Sequence, residues 1–257
     1  MDFAYSPKVE ELRSKLTAFM QDRILPAEVI AAQQLASKPD YWGPPADHGG
    51  PQDRGQAAGT VEPVPPPEDG GAGLTNLEYA PLAELTGWSP HLAPEALNCN
   101  APDTGNMELL ARFGTDEQKV QWLAPPLLDG EIRSCFSMTE PDVASSDASN
   151  VRLEIADDGD DWVLTGRKWW TTAALRDDTR VAMVMGVTDP DAPGRFAALD
   201  RPGTHGHSGG VHVERSTTVL GFDDRHEGGH GEIVYDRVRV PKANLLGPRG
   251  KGFAVAQ

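Results

Sequence analysis

At Asp129-Gly130 the residue pattern changes period, and that break constrains the fold more than any other feature of the chain. Before it, apolar residues recur at helical spacing; after it, runs rich in Val, Ile, Thr and aromatics are separated by Gly and Asp turns. Residues 7–36 read as helix through Leu12, Leu16, Phe19 and Met20, started by Ser6-Pro7 and interrupted at Pro26. Residues 76–87 repeat the pattern with Leu77, Ala80, Leu82 and Leu85, and Thr104 to Phe113 with Met107, Leu109 and Leu110. Thr115 and Gln118 have the spacing of a capping box, and the helix after them is expected to bury Val120, Trp122 and Leu123. Segments 132–138, 151–155, 161–170, 180–187, 211–220 and 231–240 read as strands. The expectation is an α+β multidomain chain: an all-α domain over 1–130, a β domain over 131–243, and from 244 to 257 a Gly-rich turn and the start of another helix.

Two stretches break this order. Residues 44–66 have the Pro, Gly and polar composition of a disordered linker, and residues 194–210 are patternless where a strand is wanted. Codons compatible with Ala46 to Pro65, read one base further along, can spell an amphipathic helix with a glycine stop. Those for Phe196 to Ser208, shifted the same way, can spell a buried strand and turn. The expectation is two compensated frameshifts, with a genuine loop insertion as the alternative.

A formal net charge of −16 over 257 residues argues against a surface for nucleic acid or anionic membrane, since phosphates need clustered Lys and Arg. Two cysteines, Cys99 and Cys135, make neither a disulfide framework nor a zinc knuckle, so a reducing, cytoplasmic setting is the default. The N-terminus has no signal-peptide pattern, and no apolar run approaches the ~20 residues that span a bilayer.

The chemistry-bearing segments lie in the β half. Phe136-Ser137-Met138-Thr139-Glu140-Pro141, followed by Asp142 to Asp147, resembles the signature segment of acyl-CoA dehydrogenases, flavoenzymes that desaturate acyl thioesters. Lys168-Trp169-Trp170-Thr171-Thr172 matches that family's second segment at its spacing, and the pair in register is a far stronger signal than either alone. Asn98 to Met107, Gly228 to Glu232 and Val238-Arg239-Val240-Pro241 are similar to a subgroup that in vertebrates is fused behind a kinase-like domain. Where the common pattern after Thr-Glu-Pro is Gly-Ala-Gly-Ser-Asp, this chain is one residue longer.

The resemblance implies an N-terminal helical domain, an antiparallel β-barrel-like middle domain, and a C-terminal four-helix bundle that is absent from residues 1–257. It implies FAD as cofactor, with Phe136, Met138, Thr139, Trp170, Thr171 and Thr172 against the flavin and Ser146 on the acyl-CoA substrate. Thioester desaturation needs a base for the α-proton, a polarised carbonyl, and the flavin N5 to accept a hydride from the β-carbon. In the family the base is a Glu, expected beyond Gln257, so no residue of this chain is nominated as catalytic. The expectation is a truncated dehydrogenase of fatty-acid β-oxidation, inactive alone, whose full-length form is a homo-oligomer passing electrons to an electron-transfer flavoprotein or similar acceptor. The alternative is a non-catalytic partner or scaffold subunit that completes a flavin site with another chain.

Three other patterns carry less. His226-Glu227-Gly228-Gly229-His230 matches the H-E-x-x-H zinc-protease pattern, but two adjacent glycines oppose the helix that motif needs, so it reads as a turn and no metal site is expected. Gly247, Gly250 and Gly252 read as the turn into the last helix, with no strand ending in them. Cys135 reads as a small buried hydrophobe.

Overall fold

A computed structural model describes residues 4–37, 42–43, 73–188, 196–200 and 209–256. The helical half begins with α1 (Pro7–Phe19), whose first turn is capped by Ser6 Oγ accepting from the Val9 amide, and α2 (Leu25–Ser37). Pro26 does not end the run. A single π-type turn, Met20–Ile24, precedes it, and the Leu25 amide donates to the Met20 carbonyl. The extra residue in that turn makes room for a ring that would otherwise strike the preceding carbonyl.

Next come α3 (Asn76–Thr86), α4 (Leu92–Ala96) and α5 (Asp103–Phe113). Thr75 caps α3 in a full capping box with Glu78. The buried face of α3 is Pro81, Leu82, Leu85 and Thr86 and stops short of the first turn, so Leu77, expected inside, is 85% exposed. Thr115 and Gln118 form the expected reciprocal box at the start of α6 (Asp116–Gln118), which runs on as wider turns through Lys119–Leu127. Gln118, Trp122, Leu123 and Leu127 are buried there. Val120, two residues from both Gln118 and Trp122, points about 200° away and is exposed, correcting the expectation that it packs.

Eight strands follow among the described residues: β1 (Arg133–Ser137), β2 (Glu154–Asp158), β3 (Asp161–Thr172), β4 (Thr179–Gly186), β5 (Phe196–Asp200), β6 (Val211–Thr217), β7 (His230–Pro241) and β8 (Leu245–Leu246). They make two four-stranded sheets, ordered β1-β4-β5-β8 and β2-β3-β7-β6. Backbone bonds from Ile155 N to Val187 O (2.8 Å) and from Val187 N to Leu153 O (2.7 Å) join the sheets into a barrel-like body. Two pairings depart from the antiparallel expectation: β1 runs parallel to β4, and the bridge of Glu154 to Val187 that joins the sheets is parallel. The patternless stretch 194–210 does supply a strand. Residues 196–200 pair antiparallel with β4, from Ala182 opposite Asp200 to Gly186 opposite Phe196. The stretch 44–66 lies outside the described residues. The last described element is α7 (Gly252–Val255).

Cys135, Ile155, Trp162, Leu164, Val184, Ile233 and Tyr235 pack the barrel interior, so Cys135 is buried as expected. A second core joins α1, α3 and α4 through Leu16, Met20, Leu82, Leu85 and Leu97. A third spans both halves, setting Met107, Leu110 and Leu123 against Val181, Met183, Leu246 and Val255.

The halves also meet through buried charge. Glu95 of α4 accepts from Arg133 (2.7 Å) and from Arg176 (3.0 and 3.2 Å), and Asp103 of α5 accepts from Arg133 (3.2 Å) and the Ser134 amide (2.7 Å). Burial pushes the Asp103 carboxyl above its ordinary range against the pull of Arg133 and Ser134. Burial works against the charge on Arg176 as well, yet Asp178 and Glu95 hold its pKa above the ordinary value. Among the described residues no helix is long and apolar enough to cross a membrane.

Candidate flavin-facing site

The segment that follows β1 is clamped from below by a buried ion pair. Lys168 of β3 donates through Nζ to the Met138 carbonyl (2.7 Å) and to Glu140 Oε1 (2.8 Å). Both carboxylate oxygens of Glu140 also accept backbone amides, from Leu153 and Arg152, each at 2.8 Å. Glu140 thus fixes the loop that leaves Thr139 and returns at Leu153. Burial pushes the Lys168 ammonium down to about 8, with Glu140 resisting.

Alternation along β3 turns Lys168 inward, and the register shift after it brings Thr171 inward as well; both are fully buried. A register shift lies between Lys168 and Thr171, where β3 carries one more residue than β7. Trp170 sits in this bulge at φ +53°, a conformation that a bulky side chain adopts only under constraint. The bulge turns Trp170 outward, leaving it 37% exposed. The Trp169 amide donates to the Thr139 carbonyl (3.0 Å), so the two sequence segments, thirty residues apart, meet at one place.

The site residues fall into distinct settings. Thr139 and Met138 are half-buried beside the Trp169–Trp170 bulge. Thr172 shares a hydrogen bond with His230 Nδ1 (3.0 Å), whose Nε2 meets Asp224 (2.9 Å), and the Trp170 and His230 rings lie 6.0 Å apart. Thr171 instead shares its hydroxyl with Ser137 (3.3 Å), which also accepts from the Tyr235 hydroxyl (3.0 Å), inside the barrel. Phe136 lines a cavity of about 480 Å³ against α5 and α7, with Leu109, Phe113 and Val255. Ser146 is exposed on the loop after Pro141. Its neighbours Asp147 to Ser149 line a second cavity of about 330 Å³ that includes Lys251. The structure therefore groups Met138, Thr139 and Trp170 around the bulge with Thr172 beside Trp170, sets Phe136 at a separate cavity, leaves Ser146 on an exposed loop next to another, and buries Thr171.

Sequence reasoning missed Lys168, Glu140 and His230. The inward phase of Lys168 on β3 was available as a signal, but its partner across 28 residues was not. The donors suit a flat group with a polar edge: the Trp169 indole Nε1 is buried with no hydrogen-bond partner among the described residues, while the backbone amide of the same residue holds the Thr139 carbonyl. A buried donor left unpaired is uncommon and costly, and an acceptor on a bound group would satisfy it.

The conserved description of the acyl-CoA dehydrogenase N-terminal domain matches residues 6–131, and that of the middle domain matches residues 135–238. FadE2 of Mycobacterium tuberculosis, named as an acyl-CoA dehydrogenase, is 49% identical over 100% of this chain, which spans 62% of that protein. Acyl-CoA dehydrogenase family member 10 of Mus musculus is 42% identical over 98% of the chain, which spans 24% of it. A solved acyl-CoA dehydrogenase structure from Mycobacterium abscessus superposes with a TM-score of 0.87 at 41% identity, covering 99% of this chain and 64% of that one. With both domains matched in order and the whole fold shared, the chain belongs to the acyl-CoA dehydrogenase family.

Proposed function

We propose that residues 1–257 form the flavin-facing and thioester-holding part of an FAD-dependent acyl-CoA dehydrogenase. The observation that carries this is the joining of Thr139 to the Trp169–Trp170 bulge, which assembles donors and an outward indole from two distant segments. Members of the family are FAD-dependent. FAD, when bound, supplies the acceptor for a hydride from the acyl β-carbon. This chain's own share is positioning. Lys168 and Glu140 hold the Met138–Thr139 backbone, the bulge aims Trp170, and His230 orients the Thr172 hydroxyl toward the same face. Phe136 contributes apolar wall. Ser146 stands beside the cavity that holds Lys251, a cation suited to a polyanionic CoA moiety. Neither the α-proton base nor the electron acceptor is assigned to any residue in 1–257.

A second reading, a subunit that completes a flavin site with another chain, is favoured by one surface. Leu220 and Phe222, at the tip of a tight turn, are 94% and 72% exposed, an apolar patch of the kind a second polypeptide covers.

One chimera tests the first reading. Residues 1–257 are joined to the C-terminal remainder of FadE2 and purified. The expected product is yellow, with flavin absorbance that falls anaerobically on adding an acyl-CoA, and Thr139→Val or Trp170→Ala weakens flavin retention. A folded, yellow chimera that no acyl-CoA bleaches overturns the activity. Unchanged flavin retention in both variants overturns the site. For the chain alone, weak flavin retention and no turnover are expected; a yellow chain that bleaches with acyl-CoA refutes that.

A further inference from the structure

The H-E-x-x-H run does not act as one motif. Its second histidine, His230, is engaged with Thr172 and Asp224. Its first two residues sit on the short 3₁₀ turn Arg225–Glu227, which left-handed residues close on both sides: Asp224 at φ 47° and Gly228 at φ 85°. There they face His91, from the turn between α3 and α4 in the helical half. Glu227 Oε1 lies 3.5 Å from His91 Nδ1 and 3.7 Å from His226 Nε2, and the two imidazoles lie 3.8 Å apart. Among the described residues, only here do three metal-ligating side chains converge, their ligand atoms all within 4.8 Å of one another.

We infer that His91, His226 and Glu227 form a binding site for a borderline divalent transition cation such as zinc, bridging the helical and β halves. Two imidazoles and a carboxylate suit zinc, nickel or copper better than magnesium or calcium. Ligands at zinc distances of about 2.0–2.2 Å stand roughly 3.4 Å apart in a tetrahedron, close to the two contacts made by Glu227. His226 Nε2 is buried with no hydrogen-bond partner among the described residues, an orphan that a cation would satisfy. Three protein ligands leave at least one position for water.

Cobalt(II) reports the site, through its visible absorption bands and by calorimetry on the full chain at pH 7.5. The expected result is one equivalent bound with micromolar or tighter affinity, displaced by zinc. His91→Ala weakens it at least tenfold, Glu227→Gln weakens it measurably, and His230→Ala leaves it unchanged. His91 is half-exposed, so its removal tests binding without threatening the fold; an unshifted metal-free thermal melt confirms this. Binding that persists at full affinity in His91→Ala, or no binding at 100 µM cobalt, overturns the inference. Equal loss in His230→Ala also overturns it, by returning the site to the contiguous motif.

Discussion

Replacing Lys168 by Met tests the clamp beneath the Met138–Thr139 backbone. The ammonium is fully buried and serves two acceptors, Glu140 Oε1 at 2.8 Å and the Met138 carbonyl at 2.7 Å. Removing it leaves a buried carboxylate without its counter-charge, a loss of about 3–5 kcal/mol. Glu140 keeps two backbone amide donors, which places the expected cost near the lower end, about 3 kcal/mol. Urea unfolding of Lys168→Met, Glu140→Gln and the double variant measures this. The double variant is expected to be about 2 kcal/mol more stable than the sum of the singles implies, because both charges leave together.

The pH dependence has a definite sign. The Lys168 ammonium is pushed from its ordinary 10.5 down to about 8. Below pH 8 both folded and unfolded chains carry the proton, and the fold bears the full cost of burying it. Between pH 8 and 10.5 the unfolded chain binds more protons, so stability rises with pH relative to Lys168→Met, by no more than about 3 kcal/mol. A Lys168→Met cost below about 1 kcal/mol, additive single variants, or wild-type stability that falls relative to the variant over that window would refute this account.

Arg133→Met strips Glu95 and Asp103 of a shared cation and is expected to cost about 3–5 kcal/mol at pH 7. Arg133 draws the Asp103 pKa down, so its loss raises that pKa further, and the deficit shrinks as pH falls through it; denaturant midpoints from pH 7 to 5 read this out. Thr115→Ala removes one half of a reciprocal cap and should cost about 1 kcal/mol by thermal or urea unfolding. Val120→Lys, on the solvent face, should stay within about 0.5 kcal/mol of the parent; a loss above about 1.5 would mean that Val120 packs after all. Trp170→Gly relieves a positive φ while deleting the outward ring, so flavin retention in the chimera should fall at least tenfold while the melting temperature changes little.

Local grammar made the elements legible and left their meetings hidden. The Thr115 and Gln118 box and the long β3 follow from spacing alone, because caps and alternation act within a few residues, while strand endings drift: the strand read over 151–155 lies at Glu154–Asp158, and the one read over 211–220 stops at Thr217. Leu77 and Val120 show the limit: helical period names a stripe, but how far a neighbouring element extends along it decides which residues are covered. The short α4, with Pro94 inside its first turn, offers no period to count. Phe196–Asp200 forms a strand with no strand pattern of its own, since β4 and β8 on either side supply the ladder. In the site, the paired segments around Thr139 and Trp170 were visible as sequence. The Lys168 and Glu140 clamp and the approach of His91 to Glu227 are contacts across 28 and 136 positions, for which one sequence holds no local trace.

The sharing of Glu95 between Arg133 and Arg176 has a consequence for synthesis. The carboxylate leaves the ribosome 38 residues before its first arginine and 81 before its second. At about 5–20 residues per second, several seconds pass in which α4 and α5 carry two acids meant for a dry interior with no cation to meet them. During that interval water is their best partner, so the helical half stays loosely closed. It tightens only when the strand carrying Arg133 and the turn carrying Arg176 arrive. The order of the chain thus makes the nascent helices wait for the barrel, and a pause or chaperone contact between residues 103 and 176 would act on the stretch where that wait is longest.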